Sequence, residues 1–242
     1  GLNIDAEESD RLVLSLELLE RLCAEPALRG WNGIGFVVQA YQKRCPAVIE
    51  HLIDLARRTG HRLMVRLVKG AYWDSEIKRA QQFGQLSYPV FTRKSATDLS
   101  YLACARQLLD YGDLFQPQFA THNVFSAAYV LQLAQQRGRK VEFQRLFGMG
   151  EALHQQLLAQ GMASRVYAPV GELRRLLPYL VRRLLENGAN NSFVKQLRGA
   201  ELVPDALQRL LQAPLTPSLP DPPQIFSPRI NAAGGHMADI DY

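Results

Sequence analysis

Six short apolar runs punctuate this chain, and each closes on or near a polar side chain. They are residues 1–5 (GLNID), 33–39 (GIGFVVQ), 63–69 (LMVRLVK), 118–122 (QFATH), 141–146 (VEFQRL) and 165–170 (RVYAPV). Near-continuous apolar runs of this length suit strands buried on both faces. Between most of them, apolar residues recur at helical spacing. The pattern predicts helices over 8–24, 46–59, 74–83, 96–111, 125–136, 152–160 and 173–189. Leu12, Leu16, Leu19 and Leu22 form one stripe of the first, which Ser9 or Asp10 would cap. Pro46 suits a first helical position, and Tyr88-Pro89 splits the third and fourth helices. In the last, Leu173, Leu176, Leu177, Leu180, Val181 and Leu184 share a face. Pro178 predicts a kink or break near Leu177, and Gly188 an end.

Strands alternating with helices point to parallel pairing. In a parallel barrel, alternate residues face inward, and chemistry collects at the C-terminal strand ends. Asp5, Gln39, Arg66, Thr121, Gln144 and Tyr167 occupy such positions. The expected fold class is α/β: the C-terminal portion, about six of eight units, of a (β/α)8 barrel. Two further units, about a hundred residues, would precede Gly1. The barrel part is expected over 1–196. Residues 197–242 would hold a modest amphipathic helix at 204–213 and an extended proline-rich linker at 215–228 (LTPSLPDPPQIFSP), leading to a missing downstream domain.

Composition adds less. The 242 residues are 47% hydrophobic and 21% charged, enough apolar material for a core. The net charge of +5 favours anionic ligands. Its cations are scattered, so nucleic acid is not indicated. Three distant cysteines without a CxxC pair suit a reducing compartment. The absence of a long apolar run in the sequence suits a soluble or peripheral protein.

Several residues invite two readings. Arg66, inside a strand, either pairs with a carboxylate such as Asp5 or faces an anionic or electron-accepting ligand. Lys69 and Gly70 either end a strand in solvent or let backbone approach a phosphate. Tyr72 and Trp73 are either packing or a ligand surface. Thr92-Arg93-Lys94 opens a helix, as an ordinary cap or a phosphate site. His122, between Thr121 and Asn123, is either a satisfied histidine or a donor to a cofactor ring or ribityl chain. The histidines show no HxH or HxxxH spacing, which disfavours a metal. Gly148 and Gly150 form either a turn or a ligand approach. Arg182 and Arg183, with Glu186 at pairing distance along the helix, are either a solvated face or a clamp for a carboxylate.

Taken in order, GLNIDAEE, WNGIGFVVQAYQKR, MVRLVKGAYWDSEIKRAQ, YPVFTRK, FATHN, FGMGE, VYAPVG and YLVRRLLENGANNSFV resemble the proline dehydrogenase domain of the bacterial proline utilization A family over residues 1–196. The resemblance implies a distorted (β/α)8 barrel with FAD bound non-covalently. It implies oxidation of L-proline to Δ1-pyrroline-5-carboxylate, with electrons leaving to a membrane quinone. Localisation would be cytoplasmic, and peripheral at the inner membrane during turnover. Arg66 would lie near flavin N5 and Gln39 against the isoalloxazine ring. Lys69, Gly70 and Trp73 would hold ribityl, pyrophosphate or adenine parts, and Thr92, Arg93 and Lys94 the adenine-nucleotide end. Thr121, His122, Asn123, Gln144 and Glu186 would complete the cofactor shell. Arg182 and Arg183 would pair with the proline carboxylate. Tyr167, Tyr72 and Leu146 would wall its ring, and Asp5 would organise the polar network. The tail resembles the segment leading to that family's aldehyde dehydrogenase domain. The family's substrate lysine and an acidic partner would precede Gly1, and the loop at 157–164 looks short for the family.

Two other readings remain at this level. Lys69 suits a Schiff-base, aldolase-like barrel. An incomplete barrel would instead be inactive, with open sheet edges that self-associate or pair with a missing N-terminal part.

Overall fold

The computed structural model describes residues 1–181, 203–214 and 216–225. All six apolar runs become strands: β1 (Leu2–Ile4), β2 (Ile34–Gln39), β3 (Leu63–Val68), β4 (Phe115–Ala120), β5 (Glu142–Leu146) and β6 (Ala163–Tyr167). They follow chain order in one sheet. The pairings β1–β2, β2–β3, β4–β5 and β5–β6 are parallel. The helices are α1 (Leu12–Ala24), α2 (Cys45–Thr59), α3 (Trp73–Gln82), α4 (Lys94–Asp110), α5 (Val124–Gln136) and α6 (Glu151–Ala159). Then come α7, described over 173–181, α8 (Val203–Gln212) and the short α9 (Pro222–Ile225).

Two compact units divide the chain. One holds residues 1–117 and the described residues from 214 onward; the other holds 118–181 and 203–213. In the first, Leu63, Val65 and Leu67 of β3 are fully buried while Met64, Arg66 and Val68 are half-buried, the period-2 signature of a pleated strand. Helix α4 packs on β3, and α2 packs on both β2 and α4. Cys45 and Cys104, distant in sequence, meet between those helices with sulfurs 3.6 Å apart. A second cluster joins Tyr41, Ile77, Ala80, Tyr88 and Val90. Residues 41–43 pair with 89–91 through Lys43 N–H to the Pro89 carbonyl (3.1 Å) and Phe91 N–H to the Tyr41 carbonyl (2.8 Å). That pairing delivers the chain to the start of α4.

In the second unit, Phe119 and Phe143 are register partners on β4 and β5, with ring centroids 6.3 Å apart. Both are fully buried, as are Ala127 and Val130 of α5.

Several expectations need correction. β4 starts at Phe115 and ends at Ala120, so Thr121 and His122 lie just past it. The strand thus begins three residues before the expected run and includes Pro117, one residue before the β5 pairing begins at Gln118. β6 stops at Tyr167, its last paired residue. Residues Ser9–Arg11 form a 3-10 turn ahead of α1, and neither Ser9 nor Asp10 caps that helix. Tertiary partners have taken both side chains: Ser9 binds Glu76, and Asp10 binds Arg79 at 2.5 Å. Over its described residues 173–181, α7 is helical through Pro178, so the helix does not break at Leu177. Gly188 lies outside the described residues, as does the expected boundary at 196. The segment 157–164 is mostly regular structure, because α6 extends to Ala159 and β6 begins at Ala163.

The proline-rich tail is not a solvated spacer over its described part. Ser218 N–H donates to Thr92 Oγ1 (2.9 Å), and Ser218 Oγ donates to the Thr92 carbonyl (2.8 Å). Tyr88 Oη donates to the Pro220 carbonyl (3.1 Å), Leu219 covers the Tyr41–Tyr88 cluster, and Pro222 is buried. Prolines with little conformational entropy to lose are suited to such a laid-down segment.

Truncating a buried aromatic leaves a cavity that its neighbours fill only in part. Phe143→Ala should therefore cost about 3–5 kcal/mol, read as a lower urea midpoint with an unchanged slope.

Candidate functional site

The first unit holds three of the six polar strand ends, Asp5, Gln39 and Arg66. In-register pairing sets Val37 beside Arg66 and Gln39 beside Val68, so β2 and β3 finish level with each other. The Arg66 side chain is 11% exposed and lies 3.5 Å from Asp5, whose own side chain is 72% exposed. The anticipated Asp5–Arg66 pair thus exists, at the long limit of a hydrogen bond. Gln39 is buried, and its Nε2 donates to the Glu7 carbonyl (2.8 Å). Tyr72 Oη donates to Glu7 Oε2 (2.7 Å). Glu7 did not stand out in the sequence, yet it joins two expected site residues.

Lys69 Nζ lies 2.5 Å from Asp98 Oδ1, and Lys94 Nζ lies 2.7 Å from Asp98 Oδ2. Lys69 also sits 5.7 Å from the Tyr101 ring centre, within cation–π range. Burial pulls the Lys69 amine below its ordinary value, opposed by the Asp98 charge. Burial would raise the Asp98 carboxyl, but Lys69 and Lys94 together override it and hold it below its ordinary value. At 2.5 and 2.7 Å, the two contacts have the geometry of charge-assisted hydrogen bonds on one carboxylate. Gly70 follows with φ +135, and a Cβ there would strike the Tyr41 ring. The glycine therefore makes room for an aromatic side chain of its own unit. Trp73 Nε1 donates to the Phe91 carbonyl (2.9 Å). Thr92 and Arg93, just before α4, are tied to the tail: Thr92 through Ser218, and Arg93 Nε to the Thr216 carbonyl (2.6 Å).

The second unit holds the remaining expected residues. Thr121 Oγ1 accepts the Asn123 N–H (3.0 Å), and Asn123 Oδ1 accepts the Ser126 N–H (2.9 Å) as the N-cap of α5. His122 Nε2 accepts the Leu146 N–H (3.1 Å), so in the neutral ring the proton is on Nδ1. A Cβ at Gly150, where φ is +63, would press on the His122 ring at 2.9 Å. Gln144 is buried, and its Nε2 donates to Glu142 Oε1 (2.6 Å), which fixes the amide's orientation. Its Oε1 is buried without a hydrogen-bond donor. Arg165 grips Glu142 at both oxygens (2.9 and 2.7 Å). The register brings Leu146 beside Tyr167, and Phe147 N–H donates to the Tyr167 carbonyl (2.8 Å).

His154 of α6 was not singled out in the sequence. It spans from Ser164 Oγ (2.7 Å) to the Thr121 carbonyl (3.2 Å). A carbonyl only accepts, so Nε2 carries the proton there and Nδ1 accepts from Ser164. Some missed partners were readable: Asp98 stands four residues after Lys94, and Glu142 two before Gln144 on one strand face. Glu76 gave no local signal. Arg182, Arg183 and Glu186 lie outside the described residues. Among the described residues, no group of three or more His, Cys, Asp or Glu is placed to hold a metal ion.

The sequence model described as Proline dehydrogenase matches residues 1–196. The chain belongs to the proline dehydrogenase family. It is 55% identical to the Bifunctional protein PutA of Salmonella typhimurium over 261 residues, covering 99% of this chain and 20% of that protein. It is 58% identical to the Bifunctional protein PutA of Escherichia coli over 238 residues, covering 92% of this chain and 18% of that protein. The chain thus spans about a fifth of the length of these relatives. Among solved structures, the D778Y mutant of Bradyrhizobium japonicum Proline Utilization A (PutA) superposes with a TM-score of 0.84 at 54% identity, over 93% of this chain and 24% of that one. The fold class is accordingly a partial (β/α)8 barrel of six parallel strands with helices, as the proline dehydrogenase domain of PutA has.

Burial pulls the His154 imidazole below its ordinary value; the Thr121 carbonyl works against this, and the Arg145 charge adds to it. A base with a depressed folded value contributes its stability above the unfolded value of about 6.5, and loses it as pH falls from there through the folded value. Acidification from about pH 7.5 to about pH 5 should therefore destabilise the parent more than His154→Gln, compared by urea unfolding at each pH.

Proposed function

We propose that the natural polypeptide carrying this sequence oxidises L-proline to Δ1-pyrroline-5-carboxylate with FAD as the bound acceptor. The observation that carries this reading is the family match over residues 1–196, the stretch that also holds every expected polar strand end. The residues suit a flavin dinucleotide. The orphaned Gln144 Oε1 is a buried acceptor that a ligand N–H or O–H would satisfy. Arg66 supplies a largely buried cation, and Lys69 with Lys94 brings two more to the start of α4, as a pyrophosphate favours.

A bound flavin supplies a two-electron acceptor; the protein supplies binding, orientation and electrostatics. In this reading Gln39 and Arg66 would hold the ring system, with Arg66 supplying a positive charge beside it. Lys69, Gly70, Trp73, Thr92, Arg93 and Lys94 hold the ribityl, pyrophosphate and adenine parts. Thr121, His122, Asn123, Gln144 and Glu186 complete that shell, with His122 Nδ1–H its donor. Arg182 and Arg183 take the substrate carboxylate in fork geometry. Tyr72, Leu146 and Tyr167 wall the pyrrolidine ring and exclude water, and Asp5 steadies Arg66. Fixing the ring in place lets proximity do much of the work.

Electrons would pass to a membrane quinone, with the protein cytoplasmic and peripheral to the membrane. Among the described residues, no helix is long and apolar enough to cross a membrane. The bifunctional PutA relatives favour a downstream aldehyde dehydrogenase domain. β1 and β6 end the strand order, so each offers a ladder edge to further chain or to a second copy. A Schiff-base role for Lys69 fits poorly, because an ammonium held against Asp98 is no free amine.

The full-length natural polypeptide should carry a flavin whose visible absorbance is bleached by L-proline; a colourless folded protein would sink the reading. Arg182→Met should weaken proline binding by about 2–3 kcal/mol, the worth of a hydrogen bond to a charged group, and an unchanged affinity would remove Arg182 from the carboxylate role.

A further inference from the structure

Residues 5–10 lead from β1 into the turn before α1, and Tyr72, Glu76 and Arg79 bind them along α3. Glu7 Oε2 accepts the Tyr72 hydroxyl (2.7 Å). Glu76, although only 3% exposed, gives its two carboxylate oxygens to Ser9, one to the N–H (2.5 Å) and one to the hydroxyl (2.6 Å). Asp10 binds Arg79 (2.5 Å). Arg44, from the turn before α2, donates to the Ser9 carbonyl. Glu7 also uses its backbone: its carbonyl accepts from buried Gln39 (2.8 Å). One residue therefore touches both Gln39 at the end of β2 and Tyr72 at the entry to α3.

We propose that Glu7 is a positioning residue that sets the ring of Tyr72 and the amide of Gln39 for substrate and cofactor. The inference rests on the proposed proline oxidation, which puts Tyr72 against the pyrrolidine ring and Gln39 against the flavin. A phenol bound at its hydroxyl cannot swing about its Cα–Cβ bond, so a carboxylate acceptor fixes where the ring of the wall sits. A charged acceptor does this more firmly than a neutral one. The glutamate itself is held still from behind. Glu76 fixes Ser9, two residues on, and a buried carboxylate that loses such donors is costly, so that anchor resists release. Gln39 Nε2 is oriented by the same segment, through a backbone carbonyl that no side-chain replacement removes. The two tethers are therefore separable: substitution at Glu7 removes the acceptor of the Tyr72 hydroxyl and leaves the Gln39 tether in place.

The test uses the flavin-loaded full-length polypeptide. Glu7→Ala should raise the KM for proline about tenfold with kcat within about twofold, since uniform binding is lost and not transition-state chemistry. Glu7→Gln retains an acceptor oxygen for the hydroxyl and should stay within about twofold of the parent in both constants. In a Tyr72→Phe background, Glu7→Ala should add nothing further. A urea-unfolding double-mutant cycle of the same two changes, which needs no turnover, should be non-additive. A parental KM in Glu7→Ala, a Glu7→Gln as impaired as Glu7→Ala, or an additive cycle would each overturn the proposal. If Glu7→Ala fails to fold, Tyr72→Phe removes the same bond from the other side, and a parental KM there overturns it equally. A parent whose flavin proline does not reduce counts against the proposed function instead, and the unfolding cycle still decides the Glu7–Tyr72 coupling.

Discussion

Level, in-register parallel pairing is the constraint on which the rest depends. With Val37 beside Arg66 and Gln39 beside Val68, or Leu146 beside Tyr167, neighbouring strands end together. β2 is buried on both faces, so a polar side chain in it is cheap only near its end or where a partner waits. The same pairing that fills β2 with apolar residues therefore delivers Gln39 to the strand's edge. A one-residue slip would turn Arg66 into the helix side, where Leu63, Val65 and Leu67 pack.

Charges near those ends are matched locally. Lys69 and Lys94 share Asp98, Arg165 takes both oxygens of Glu142, and Glu76 is satisfied by Ser9. Removing one member of such a group leaves an uncompensated buried charge, which costs far more than the pair contributes. The arrangement holds cations in place ahead of any anionic ligand. Preorganisation of this kind spares the ligand the entropy of ordering long side chains.

Much of the fold was legible because continuous apolar runs separated by helical stripes leave few alternatives. Asp5 with Arg66 was legible too, since a guanidinium inside a strand demands an acceptor. Glu7 with Tyr72 was not: the two are 65 residues apart, and nothing local marks Glu7. Ser9 and Asp10 look like helix caps in isolation, but α3 outbids the local role with longer-range partners. Nothing near Gly70 in the sequence announced that its missing Cβ makes room for the Tyr41 ring. In each case the deciding neighbour came from another element, information that spacing along the chain does not carry.

The segment around Leu219 is a splint laid over the Tyr41–Tyr88 cluster and fastened at Thr92. A version trimmed where the family match stops, at 196, would peel that splint away. Ile77, Ala80 and Val90 would then meet water on that side, and the stretch leading into α4 would lose its brace. The natural piece to express is the one that keeps its own wrapping.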